Sequence, residues 1–316
     1  MQKEKSINHS ILACSLILLQ CTLYGLGDPL FKMAYTHVNA YSVLSFRYTF
    51  ALLAMWILFG KKLLSGLKES PFKLIVIPCI CVAGSHLFSN LALQYTQATS
   101  VGFLRSLSVV ITPILAMIFY KKKIRPFEIL VLIGAVVGLY LLCGYGKMSG
   151  FGLGELLALG CALLSAGGVI SLKRSLQQVN PLVMTMFQTA TSALFAIICA
   201  FVWDHGISMT GAVPSVWISI IYLALGCTLG GYMLQNTAIR MISPNTVSFL
   251  MCFCSVMTAF FSYFLLGERL SITGLIGAMM ILISVITETL LSGKLEKNTA
   301  SSGTQSEISG RGDSPV

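Results

Sequence analysis

The chain reads as ten apolar runs separated by short polar joins: residues 11–28, 40–59, 74–95, 98–119, 127–145, 152–171, 181–203, 214–239, 244–266 and 272–291. Crossing the core of a bilayer as an α-helix takes roughly 20 apolar residues. The alternating ten-residue segments of a membrane barrel are absent. Because a backbone in lipid must satisfy its own hydrogen bonds, helices are the spanning structure that remains. Pro29, Pro71, Pro126, Pro181, Pro214 and Pro244 fall at or near run edges, where a missing N–H costs little. The pattern predicts an all-α polytopic membrane protein of ten transmembrane helices. The first run follows Lys3 and Lys5, as a signal peptide would, but the repeat below includes it, so it is expected to be retained.

The runs repeat. A shift of 146 residues pairs Cys81 with Cys227, Gly84 with Gly230, Asn90 with Asn236, Ala92 with Ala238, Val101 with Val247, Phe103 with Phe249 and Thr112 with Thr258. Upstream, a shift of 141 pairs Gly27 with Gly168, Lys32 with Lys173, Asn39 with Asn180 and Phe46 with Phe187. Matches in order and nearly without gaps indicate a duplication. The reading divides the chain into an N-terminal tail (1–10), a first five-helix repeat (11–145), a second repeat (152–291) and a disordered tail (292–316). Five spans per half would turn the second half upside down relative to the first, giving two inverted five-helix repeats.

Charge tests the inversion. With the N-terminus in the cytoplasm, Lys61, Lys62, Lys68, Lys73, Lys121, Lys122, Lys123, Arg125, Lys173, Arg174 and Arg240 fall inside. Only Lys32, Lys147 and Arg269 fall outside, the asymmetry that marks cytoplasmic loops. The expected placement is a multi-pass protein of the plasma membrane with both termini cytoplasmic. The net charge of +10 would suggest nucleic acid on a soluble chain; here it sits in the loops as an orientation signal, and no nucleic-acid partner is expected. Composition agrees: 56% of residues are hydrophobic and 10% charged, far from the quarter charged of soluble domains. The ten cysteines all lie in apolar runs, and the Cys79/Cys81 and Cys252/Cys254 spacing points side chains to opposite helix faces, so they read as small core hydrophobes with no metal site. Arg311-Gly312-Asp313, an adhesion-like tripeptide, falls on a cytoplasmic tail and is read as chance.

Several segments together resemble the drug/metabolite transporter superfamily, and within it the EamA-type ten-helix carriers. They are the five-plus-five layout, Gly27 to Lys32, Asn90-Leu91-Ala92-Leu93-Gln94-Tyr95, Thr112-Pro113 and Gly267-Glu268-Arg269-Leu270. The resemblance covers residues 11–291 and implies a fold and a family without a substrate. One departure is Lys121-Lys122-Lys123, where the family pattern has Gly-Glu-Arg/Lys after the fourth span.

The candidate chemistry lies in polar groups inside spans, which are costly there and mark function by default. Arg47 and Arg105 each sit about seven residues, on the order of 10 Å, into spans that start outside. Facing one cavity they would form a bidentate carboxylate site; alternatively each snorkels outward or binds a helix-end carbonyl. His86, Asn90 and Gln94 share one face of span 3, and Tyr232, Asn236 and Arg240 repeat that stripe in span 8. The stripes could line a water path or hold helices together. His86 could titrate near neutrality or pack as a neutral ring. Gln20, Tyr24 and Gln188 are further cavity-lining candidates, Gln188 being the repeat mate of Arg47. Asp28 and Glu155, near outer span ends, could couple a proton, pair with an arginine or be solvated. Pro113 should kink span 4, and its mate is Ala259, so two gates built here need not match.

No nucleotide loop, nucleophile elbow, metal-ligand spacing or carboxylate pair is present, so neither an enzyme nor a cofactor is expected. The leading reading is a secondary transporter working by alternating access, exporting amino acids or related carboxylate-bearing metabolites. The alternative is a polytopic membrane sensor or assembly subunit without transport, which would pack these polar groups away from any cavity. The partners expected are the bilayer and a small-molecule substrate. A homodimer is compatible with the glycine-rich faces, which packing inside the bundle explains equally.

Overall fold

The computed structural model describes residues 2–95, 101, 104–120, 126–142, 152–267 and 271–287. These residues form ten helices: α1 (Gln2–Tyr35), α2 (Ala40–Glu69), α3 (Lys73–Tyr95), α4 (Leu104–Tyr120), α5 (Pro126–Leu142), α6 (Leu153–Ser175), α7 (Pro181–Trp203), α8 (Pro214–Met241), α9 (Pro244–Leu266) and α10 (Ile272–Thr287). Four of them start on a proline, where the absent N–H is one the first turn leaves unused. Side chains finish the caps: Asn180 accepts from the Leu182 N–H at 2.9 Å and Ser243 from the Thr246 N–H at 3.2 Å. Helix α9 stops at Gly267, whose φ of 65° is the left-handed turn that glycine adopts without penalty.

The helices differ from the apolar runs in two ways. First, α1 and α2 outlast their runs, because backbone N–H groups beyond the apolar stretch still need partners. Helix α1 continues through Pro29 to Tyr35, so this proline is interior and ends nothing. Helix α2 continues past the exposed Lys61 and Lys62. Second, six helices rather than ten are long and apolar enough to cross a membrane among the described residues: α1, α2, α6, α7, α8 and α9. The apolar stretches of α3, α4, α5 and α10 are 10–17 residues long, at most about 25 Å of helix against a core of about 30 Å. All four adjoin residues outside those described.

The chain is a multi-pass, all-α membrane protein. Trp56, Ile57, Leu58, Ile118, Phe119, Phe201, Phe264 and Ile272 are all about half exposed or more, a surface that suits lipid and would aggregate in water. Lipid removes the hydrophobic drive between helices, so close packing and hydrogen bonds hold the bundle. The two halves interlock. Helix α1 lies along α9, with Cys21 near Leu250, Gly25 against Met257 and Asp28 on Thr258. It also runs antiparallel to α8, with Gln20 on Gln235, Tyr24 over Gly231 and Gly27 against Cys227. Helix α6 repeats these contacts with α3 and α4: Gly160 meets Phe88, Gly168 meets Cys81, Ser175 bonds the Leu74 carbonyl at 2.6 Å, and Ile170 receives the Tyr120 hydroxyl at 3.0 Å. Helices α2 and α7 run antiparallel, Tyr41 near Trp203 at one end and Gly66 against Val183 at the other. So do α5 and α10, through Gly134 with Ser284 and Gly138 with Gly277 and Ile281.

Candidate functional site

Helix α8 is not uniform. Between α-helical ends, Leu223–Gly231 is wound as a π-helix. Its sequence, Leu-Ala-Leu-Gly-Cys-Thr-Leu-Gly-Gly, carries three glycines that tolerate the wider turn. The Thr228 hydroxyl donates to the Leu223 carbonyl five residues back, at 3.0 Å. The same oxygen accepts the Nε–H of Arg47 at 2.8 Å, tying α2 of the first half to α8 of the second.

Around this bond lies a polar centre. Arg47 is 8% exposed and has its guanidinium carbon 5.3 Å from the centre of the Tyr48 ring. His86 Nε2 and the Tyr232 hydroxyl are 2.8 Å apart, with their rings stacked at 6.1 Å. The Tyr48 ring lies 6.4 Å from the His86 ring. Tyr24 packs against the bare Gly231 backbone, and its buried hydroxyl has no hydrogen-bond partner among the described residues. A cavity of about 20 Å³, room for one water, lies beside the centre between Tyr41, Tyr48, His86, Ser192 and Cys199. His86 and Tyr232 are repeat mates, 146 residues apart.

Two further clusters flank it. Asp28 accepts from the Thr258 hydroxyl at 2.8 Å and faces Arg105 at 3.7 Å, a half-exposed ion pair joining α1, α4 and α9. Asn236 donates to Gln188 at 2.7 Å and to Thr185 at 2.9 Å, wholly buried between α7 and α8. The two arginines therefore take different partners, Thr228 for Arg47 and Asp28 for Arg105. Gln20 is buried and donates to Gln235 at 3.3 Å. Glu155 is buried and accepts from the Gly152 N–H at 2.8 Å, closing the first turn of α6. Pro113 is buried inside α4, next to Thr112, which accepts from Ser248 at 2.8 Å. The Asn90 side chain lies outside the described residues.

Sequence reasoning missed Thr228, Tyr48 and Thr258. The available signal for Thr228 was a glycine cluster in the middle of an unusually long run. Tyr48 and Thr258 carried none beyond their place beside Arg47 and opposite Thr112. Seven of the nine described cysteines are buried, and the other two, Cys81 and Cys254, are partly so.

Such a bundle, apolar on the outside with polar groups gathered within, is that of a membrane protein. The model of the EamA-like transporter family matches the chain twice, over residues 11–144 and 152–288, and the chain belongs to that family of transporters. It is 28% identical over 207 residues to an uncharacterised transporter of Archaeoglobus fulgidus, a match spanning 64% of each protein. It is 24% identical to the uncharacterised transporter YyaM of Bacillus subtilis, over 71% of this chain and 74% of the relative. A solved crystal structure superposes with a TM-score of 0.75 at 19% identity, over 90% of this chain and 98% of the other, a likeness of fold alone.

Proposed function

We propose that the chain is a secondary transporter that crosses the plasma membrane ten times as two inverted five-helix repeats, residues 11–145 and 152–291, with both termini in the cytoplasm. Its solute is a small carboxylate-bearing metabolite, amino acids and related acids being the class, and its direction is export. The observation that carries this reading is the contact between His86 and Tyr232. Two inverted halves that exchange conformations give alternate access to a site between them, and buried polar groups gather at this contact. The antiparallel course of α2 with α7 and of α5 with α10 supports the inversion. The excess of Lys and Arg in the loops assigned to the inside supports the orientation. Arg47 anchors the carboxylate, its Nε held by Thr228 and its remaining N–H groups available to the solute. Reconstitution into liposomes, with labelled amino acids, organic acids and nucleosides at imposed pH gradients, tests the reading. Uptake of an acid that Arg47→Ala abolishes is the expected result. Uptake of nothing, with Arg47→Ala and Arg105→Ala indistinguishable from wild type, contradicts it.

A further inference from the structure

Taking the chain as a carrier with its site at the polar centre, the charge balance there sorts the acids it can move. Of the 11 acidic residues in the chain, four fall within the apolar runs, Asp28, Glu155 and, near run ends, Glu128 and Glu288; the rest sit in tails or joins. Glu155 is committed to the first turn of α6. Asp28 is committed to Thr258 and Arg105. Arg47 is buried, and no carboxylate lies within 4.0 Å of it among the described residues. Its contacts are the Thr228 hydroxyl and the face of the Tyr48 ring, neither of which cancels its charge. The polar centre thus holds a buried cation, Arg47, with no carboxylate opposite it among the described residues.

We infer that the site takes net monoanions, acids without a free ammonium group, and that the membrane potential alone drives them out. An uncompensated buried charge is costly, and a ligand of charge −1 cancels it. A zwitterion brings no net charge and adds an ammonium for which no carboxylate stands beside Arg47 among the described residues. A dianion reverses the imbalance. Each cycle then carries one negative charge across the membrane. An inside-negative potential favours its exit about 50-fold per 100 mV, so neither direction nor driving force calls for a coupling ion.

The test loads proteoliposomes of the full chain with the common amino acids, their N-acetyl derivatives and the matching 2-oxo acids. The pH is equal on both sides, and potassium with valinomycin sets the potential. Mass spectrometry follows the contents, with leak from protein-free vesicles subtracted. The N-acetyl and oxo acids are expected to leave at least about tenfold faster than the parent amino acids, the factor of one buried charge-assisted hydrogen bond. Their exit should quicken as the interior becomes more negative, and Arg47→Gln should slow it about 100-fold. Amino acids leaving as fast, or release indifferent to potential, overturns the monoanion inference and leaves the carrier reading standing. Release of no compound from vesicles holding monodisperse, folded protein counts against the carrier reading itself. Because the potential dependence is read on the wild type, the inference stays testable if Arg47→Gln fails to fold.

Discussion

Gly27 with Cys227 and Gly168 with Cys81 are the same contact made twice, once in each direction between the halves. They are not equally tight. A Cβ on Gly27 would come 2.6 Å from the Cys227 sulfur, whereas one on Gly168 would lie 3.5 Å from the Cys81 Cβ, an ordinary contact. The partner helices account for the difference. Helix α3 is α-helical through Cys81, while α8 passes Cys227 as a π-helix. The wider winding accompanies the closer approach to α1, and in it Thr228 meets Arg47; the residue equivalent to Thr228 in α3 is Val82, and the one equivalent to Arg47 in α7 is Gln188. Gln188 is already satisfied by Asn236. One half therefore presents a buried charge with no carboxylate beside it among the described residues, and the other presents a closed neutral bond.

Replacing residues of one half by those of the other breaks this comparison. Arg47→Gln copies the second half into the first and has the largest expected effect. Losing a buried charged partner costs about 3 kcal/mol, so kcat/KM for the transported acid should fall about 100-fold, read from initial uptake rates. Next comes the glycine pair. Gly27→Ala forces a Cβ onto Cys227 and should destabilise the protein by about 2 kcal/mol, whereas Gly168→Ala should be neutral or gain about 0.5 kcal/mol from lower chain entropy. Thermal unfolding in one detergent, read by tryptophan fluorescence, separates the two, and equal shifts would refute the asymmetry. Thr228→Val makes α8 resemble α3. It strands the Arg47 Nε–H and should cost about 1.5 kcal/mol, with the loss appearing in substrate affinity as well as unfolding. Smallest is Tyr232→Phe, which removes the hydrogen bond to His86. Interhelical bonds in membranes average about 0.6 kcal/mol, so a double-mutant cycle with His86→Ala should return a coupling of that order.

Much of this frame was legible in the sequence for a physical reason. Lipid demands long apolar runs, and prolines at Pro126, Pro181, Pro214 and Pro244 mark where helices can start, so the helices stand where those signals put them. The repeat of His86 in Tyr232 was legible too, although that the two side chains touch was not. Three things left no trace in the apolar pattern. The extensions of α1 past Pro29 and of α2 past Lys62 are held by backbone bonds that continue after hydropathy falls. The π-helix changes which carbonyl each N–H reaches without changing any residue's polarity. The separate partners of the two arginines depend on where Thr228 and Asp28 come to lie, which sequence spacing alone does not reveal.

The comparison of halves stands on their opposite orientation, and one measurement addresses that directly. Lys62, just past the apolar run of α2, and His205, just beyond α7, follow equivalent runs. Lys62→Cys and His205→Cys are treated, in intact cells, with a maleimide that cannot cross the membrane, against the background of the mostly buried native cysteines. His205→Cys should label from outside, and Lys62→Cys only after the membrane is permeabilised. Labelling of both from the same side would contradict the inversion, and with it the alternating site between the halves.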